Sequence, residues 1–123
     1  MLQKMHLLFI CNFNMNRSPL AASLFDNSPY YEARSAGLYP LGGGEIKTTP
    51  VTQELIDWAD KIFVMSEKEE KHLTLLKERF NIGDKKIEVL EVPDRYNIAL
   101  AKDYEALKKI LTEKLSGYLA DKI

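Results

Sequence analysis

The chain has 123 residues, enough for one domain with a real core and too few for two, so a single domain over residues 1–123 is expected. Charged residues make up 28% and hydrophobic ones 46%, and the net charge is -1, which leaves no basic footprint for nucleic acid or for an anionic membrane surface. A single cysteine, Cys11, excludes an intramolecular disulfide and a cysteine-rich zinc site and fits a reducing compartment. The apolar run before it is too short for a signal peptide, and no stretch is long enough to span a bilayer, so the expected location is the cytoplasm.

Met5 to Ile10 reads as a buried strand, a short apolar run bounded by a polar loop. Ser18-Pro19 opens a helix, with proline in the first turn, where its missing N–H costs little. Leu20, Leu24 and Phe25 give that helix an apolar face, and Asn27-Ser28-Pro29 stops it. Tyr31 to Ser35 is a weaker strand. Leu38 to Glu45 reads as loop, with Pro40 and the flexible run Gly42-Gly43-Gly44, which lacks the residues of a nucleotide phosphate loop. Thr49-Pro50 starts a second helix carrying Val51, Leu55 and Trp58 on one side.

Lys61 to Met65 is a third strand. Ser66 with Glu69 makes a capping-box pattern for a helix that places Leu73, Leu76 and Phe80 on one face and ends at Asn81-Ile82-Gly83. The charge run Glu67-Lys68-Glu69-Glu70-Lys71 reads as a solvated helix face. Ile87 to Leu90 is a fourth strand, and Asp103 begins a last helix with Tyr104, Leu107, Leu111, Leu115 and Tyr118 at helical spacing. His6 and His72 read as structural or solvated. Strands alternating with helices predict an α/β fold: a four-stranded parallel sheet with helices on both faces. Ligands of such sheets bind beyond the carboxyl ends of the strands, which is where Cys11 and Asp94 both fall.

The segment Cys11-Asn12-Phe13-Asn14-Met15-Asn16-Arg17-Ser18 carries the chemistry. A loop between a strand and a helix can aim several backbone N–H groups at one centre, and a helix N-terminus adds positive potential. Arg17 can close this cradle with a planar, bidentate fork. The same field favours a nucleophilic Cys11. Residues Asn12, Phe13, Asn14, Met15, Asn16, Arg17 and Ser18 are therefore the candidate phosphate-binding loop, and Asn14 suits a left-handed backbone position. Asp94 is the candidate general acid, since a departing alkoxide or phenoxide needs a proton. Tyr96 is the candidate wall for an aromatic substrate.

A Cys-x5-Arg-Ser-Pro run after an N-terminal strand resembles the low-molecular-weight protein tyrosine phosphatases, in their compact bacterial-type branch. The likeness extends to Arg34-Ser35-Ala36-Gly37, which resembles that family's Ser-Ala-Gly turn. Asp60 to Met65 resembles its third strand, and Val92-Pro93-Asp94-Arg95-Tyr96 its acid-bearing segment. The resemblance implies a metal-free, cofactor-free phosphomonoester hydrolase acting on a phosphorylated protein or a small phosphoester. In it Cys11 forms a phosphocysteine, Arg17 and the loop hold the phosphate, Asn14 keeps the loop in shape, Ser18 donates to the thiolate, and Asp94 is acid and then base.

Three departures stand out. Phe13 occupies a place where the family has a small residue. Asn16 replaces the second cysteine of many members. Arg95 replaces the usual proline and puts a cation beside the acid, which opposes proton donation. Three rival readings share the sequence features. One is an arsenate reductase using an external thiol, since a single cysteine closes an internal relay. The others are a phosphocysteine carrier, against which Arg17 argues, and a non-catalytic anion-binding regulatory domain.

Overall fold

A computed structural model of the chain describes residues 3–39 and 48–119. Pro40 and the glycine run lie outside the described residues. Among the described residues four strands and five helices follow one another: β1 (Met5–Cys11), α1 (Arg17–Ser23), β2 (Tyr31–Gly37), α2 (Gln53–Trp58), β3 (Lys61–Val64), α3 (His72–Arg79), β4 (Ile87–Val89), α4 (Ala101–Lys114) and α5 (Ser116–Leu119). The strands form one parallel sheet in the order β2-β1-β3-β4. The α/β architecture read from the sequence is therefore the one observed.

The sheet is covered on both faces, as a parallel sheet must be. Alternation along the central strands divides the core in two. Leu7, Phe9 and Cys11 join Phe63 and Met65 on one face, packed with Leu20 and Phe25 and with Leu107 and Leu111 of α4. Leu8 and Ile10 join Ile62 and Val64 on the other, packed with Ile56 of α2 and Leu76 of α3. Each fully buried aliphatic or aromatic side chain contributes about 1.5–3 kcal/mol, so the run Leu7-Leu8-Phe9-Ile10 alone anchors β1 at the centre of the sheet. Phe9 stacks on Phe63 at 4.8 Å between ring centroids, and on Phe25 at 5.8 Å.

Several element limits differ from the expected ones, and four of the differences have a plain local setting. β2 runs to Gly37, two residues beyond Ser35, because it stays paired with β1 up to Cys11↔Gly37. Pro50 does not start a helix. It bridges Gly37, and Thr52 caps α2 by accepting from the Leu55 N–H at 3.1 Å. Ser66 does accept from the Glu69 N–H at 3.4 Å, but α3 begins only at His72, after a turn in which Lys71 takes φ 57°. The helix expected to run from Asp103 through Tyr118 begins at Ala101 as α4, where Asp103 in its first turn accepts from the Asn97 N–H, and Tyr118 falls in the separate α5.

Gly37 closes β2 directly against the loop that follows β1. A Cβ built there would lie 2.8 Å from the Asn12 carbonyl oxygen and 2.9 Å from both Asn14 N and Phe13 C, all backbone atoms. Gly37→Ala should therefore cost about 1–3 kcal/mol in urea unfolding, as for an overpacked core site. It should also weaken any anion binding by the loop. An unchanged unfolding midpoint would show that the loop yields without strain.

Candidate active site

Cys11 ends β1 at 3% exposure, with its Sγ 3.1 Å from Ser18 Oγ in the first turn of α1. Asn14, at φ 58°, organises what lies between. Its Oδ1 accepts from the Thr49 N–H at 3.0 Å, which fixes the amide so that Nδ2 is the donor. Nδ2 then donates to Ser18 Oγ at 3.0 Å and to Ser35 Oγ at 2.9 Å. With a lone pair of Ser18 taken by Asn14, its hydroxyl proton has two neighbouring acceptors, the cysteine sulfur at 3.1 Å and the Ala36 carbonyl at 3.4 Å. The Ser35-Ala36-Gly37 turn thus serves the loop through a hydroxyl and through the missing Cβ of Gly37.

The loop backbone is held from outside. Cys11 O accepts from Leu38 N at 3.0 Å, and Asn12 O from Tyr39 N at 2.7 Å. In a trans peptide the following N–H points the opposite way, so the N–H groups of Asn12 and Phe13 face away from that segment. Among the described residues, no protein acceptor takes the backbone N–H of any of residues 12–17. Asn16 sits at the helix start, and its side chain accepts from the Ile98 N–H at 3.0 Å, which ties the segment after Asp94 to the loop.

Arg17 is 2% exposed. Its Nη1 donates to Glu70 Oε1 at 2.7 Å and to the Val92 carbonyl at 2.8 Å, and Nη2 donates to Glu70 Oε2 at 2.9 Å. Asp94 Oδ2 lies 3.7 Å from Nη2, with its side chain 40% exposed. Cys11, Asn12, Phe13, Met15, Asn16, Arg17 and Asp94 together line a small cavity of about 30 Å³. Phe13 and Met15, at 42% and 40% exposure, stand at its mouth.

The turn before α3 is a second layer of the site. The Ser66 N–H donates to His72 Nδ1 at 3.0 Å, so the ring carries its proton on Nε2, 2.7 Å from Asn12 Oδ1 and 3.3 Å from Glu70 Oε2. Burial pushes His72 below its ordinary pKa of 6.5, and the Arg17 charge adds to this against the pull of Glu70. Burial works against the Glu70 carboxylate, yet hydrogen bonding and attraction from Arg17 outweigh it and hold Glu70 below 4.5. Glu70 is thus not part of a solvated helix face, and His72 is fully buried.

The cavity brings together Cys11, the loop residues that line it, Arg17 and Asp94, and it leaves out Tyr96. That ring packs half-buried against the core on the α4 side, with the Arg95 guanidinium 5.8 Å above its centroid. Arg95 is therefore directed at Tyr96, and the cation paired with Asp94 is Arg17. Among the described residues no group of three or more His, Cys, Asp or Glu side chains could hold a metal ion, and no helix is long and apolar enough to cross a membrane.

The structure aligns with the tyrosine phosphatase Wzb from Escherichia coli K30, solved in complex with phosphate, at a TM-score of 0.74 and 20% identity, covering 97% of this chain and 99% of that one. A low-molecular-weight phosphotyrosine phosphatase from Vibrio cholerae O395 aligns at 0.73 and 18% identity, covering 95% of each chain. The fold is that of the low-molecular-weight phosphotyrosine phosphatases. In sequence, the chain is 30% identical over 93 residues to a protein-arginine-phosphatase of Geobacillus stearothermophilus, a match that takes in 60% of this chain and 61% of that protein. No protein-family model matches the sequence. The resemblance read from the Cys-x5-Arg-Ser-Pro run thus holds for the architecture, with Cys11 in the loop after the first strand of this phosphatase fold.

His72 should make the fold acid-sensitive well above the carboxylate range. Its folded pKa lies below the unfolded 6.5, so the unfolded chain takes up the proton first. The stability this represents is present above about pH 6.5 and is lost as pH falls from there toward the folded value. Glu70 contributes in the same sense, but only as pH falls below 4.5. The urea midpoint should therefore drop between about pH 7.5 and pH 5.5, and His72→Gln should flatten that interval. An equal slope in the variant would place the acid sensitivity elsewhere.

Proposed function

We propose that the chain is a cysteine-dependent phosphomonoester hydrolase that acts on phosphorylated protein side chains. One observation carries this reading. The N–H groups of residues 12–17, taken by no protein acceptor among the described residues, belong to the same loop as a buried thiol, and Arg17 and Asp94 share its cavity. An oxyanion of phosphate size is the ligand that such a set of donors suits. A carrier of phosphocysteine would have no use for a carboxylic acid at the rim. An arsenate reductase would need a thiol from another molecule, since Cys11 has no partner cysteine.

The geometry supports the following mechanism. Cys11 Sγ attacks phosphorus in line with the leaving oxygen. Ser18, whose hydroxyl is oriented by Asn14, stabilises the sulfur anion. The loop N–H groups and Arg17 hold the equatorial oxygens as charge spreads over them. Asp94 lines the cavity at an exposed position, and once a bound phosphate takes up the Arg17 charge that otherwise favours its ionised form, it protonates the leaving oxygen. The phosphocysteine is then hydrolysed by water, with Asp94 as base. The apolar mouth formed by Phe13 and Met15 suits an aromatic leaving group, which favours phosphotyrosine. The curated arginine phosphatase relative makes phosphoarginine the competing substrate.

With p-nitrophenyl phosphate, Arg17→Ala should damage KM and kcat together, because Arg17 holds phosphate in both ground and transition states. Asp94→Ala should lower kcat about 10²–10⁴-fold with KM nearly unchanged. Its loss should be larger on an alkyl phosphate, whose leaving group cannot depart unprotonated. Full activity of Asp94→Ala on the alkyl ester would remove Asp94 from the mechanism. Turnover of phosphotyrosine and phosphoarginine peptides by the same preparation decides the side chain.

A further inference from the structure

The Arg17 guanidinium can meet a tetrahedral anion through either of two forks: the terminal edge, Nη1 with Nη2, or the side edge, Nε with the outer N–H of Nη2. In this structure Glu70 takes the terminal edge with both carboxylate oxygens, at 2.7 and 2.9 Å, and the Val92 carbonyl takes the remaining N–H of Nη1. Among the described residues the side edge has no hydrogen-bond partner and is left for a ligand, with Asp94 Oδ2 3.7 Å from its Nη2. We propose that Glu70 is a positioning residue for Arg17, selecting the side edge as the fork that receives the phosphate, and that His72 braces it.

Glu70 is well placed for this. It comes from the turn before α3, far from Arg17 in sequence, and its side chain is 14% exposed. A carboxylate held bidentate on a guanidinium fixes both the plane and the rotation of that guanidinium, which a single contact would not. Glu70 is itself restrained, since its Oε2 lies 3.3 Å from His72 Nε2. His72 is fixed in turn by the Ser66 N–H on one side and by Asn12 Oδ1 on the other. One buried imidazole therefore touches both halves of the cradle: Asn12, next to the nucleophile, and the carboxylate that grips Arg17. The charge run 67–71 contains this function within a composition that otherwise resembles a solvated surface.

The proposal rests on the phosphatase reading of the site, and charge alone predicts the opposite outcome. A carboxylate close to an anion site repels the anion, so if Glu70 were only a counter-charge, Glu70→Gln would tighten phosphate binding. If Glu70 positions Arg17, the same substitution breaks one half of the fork and weakens binding. The experiment is direct titration of inorganic phosphate by calorimetry into the wild-type chain, Glu70→Gln, Glu70→Asp, Arg17→Ala and the double variant Glu70→Gln/Arg17→Ala, each checked for a cooperative thermal transition. Glu70→Gln should bind about tenfold or more weakly, the scale of one charge-assisted hydrogen bond. Glu70→Asp keeps the charge but shortens the reach, and should weaken binding as well. In the Arg17→Ala background, Glu70→Gln should change affinity less than about twofold, because its effect passes through Arg17. Equal or tighter binding by Glu70→Gln, or an undiminished loss in the Arg17→Ala background, would overturn the role of Glu70 and leave the phosphatase reading standing. A wild-type chain that binds no phosphate would overturn both.

Discussion

The site depends on a buried cation. Arg17 brings a full positive charge to a position 2% exposed, which no protein tolerates without close partners. Glu70 and the Val92 carbonyl supply them from two other segments of the chain. Removing one partner of such a buried pair typically costs about 3–5 kcal/mol, because the remaining charge is left unpaired. Arg17 thus binds the carboxyl edge of the sheet together whether or not a ligand is present. The turn before α3, the segment after β4 and the loop after β1 converge on its guanidinium.

The parallel sheet makes this convergence possible. β1, β3 and β4 all point the same way, so Cys11, the Ser66–His72 segment and Val92-Pro93-Asp94 leave the sheet at one edge. The core alternation places Cys11 on the face packed by α1, close to Ser18 of that helix. β2 completes the arrangement from the other side, where Ser35 receives Asn14 and Gly37 leaves room for the loop backbone. Rigid strands therefore set the donors around the sulfur. Asp94 sits on a more exposed segment, tied to the loop through Asn16 and Ile98.

Much of this was legible in the sequence, for physical reasons. The apolar run Leu7 to Ile10 and the cysteine-to-arginine spacing after it are local signals, and local signals survive without knowledge of the fold. The parallel sheet follows from the alternation of strands and helices, whereas the order β2-β1-β3-β4 is seen only in the fold. Glu70 and His72 were not legible. Their partners lie 53 and 60 residues away, and glutamates in a Glu-Lys run look alike whether they face water or a buried arginine. Tyr96 is a different case. An aromatic residue near a candidate acid suggests a substrate wall, and its half-buried ring packs against the core cluster that includes α4. Arg95 follows that ring and leaves Asp94 to Arg17.

The central claim is that Cys11 is a nucleophile that carries the phosphoryl group between two half-reactions. Acid quenching of the chain during turnover of an aryl phosphate, followed by intact-mass and fragment analysis, tests it most directly. The account predicts a single phosphoryl adduct located on Cys11, more abundant in an Asp94→Asn variant, whose second half-reaction lacks its base. Turnover with no adduct, or with the phosphoryl group on any residue other than Cys11, would contradict it.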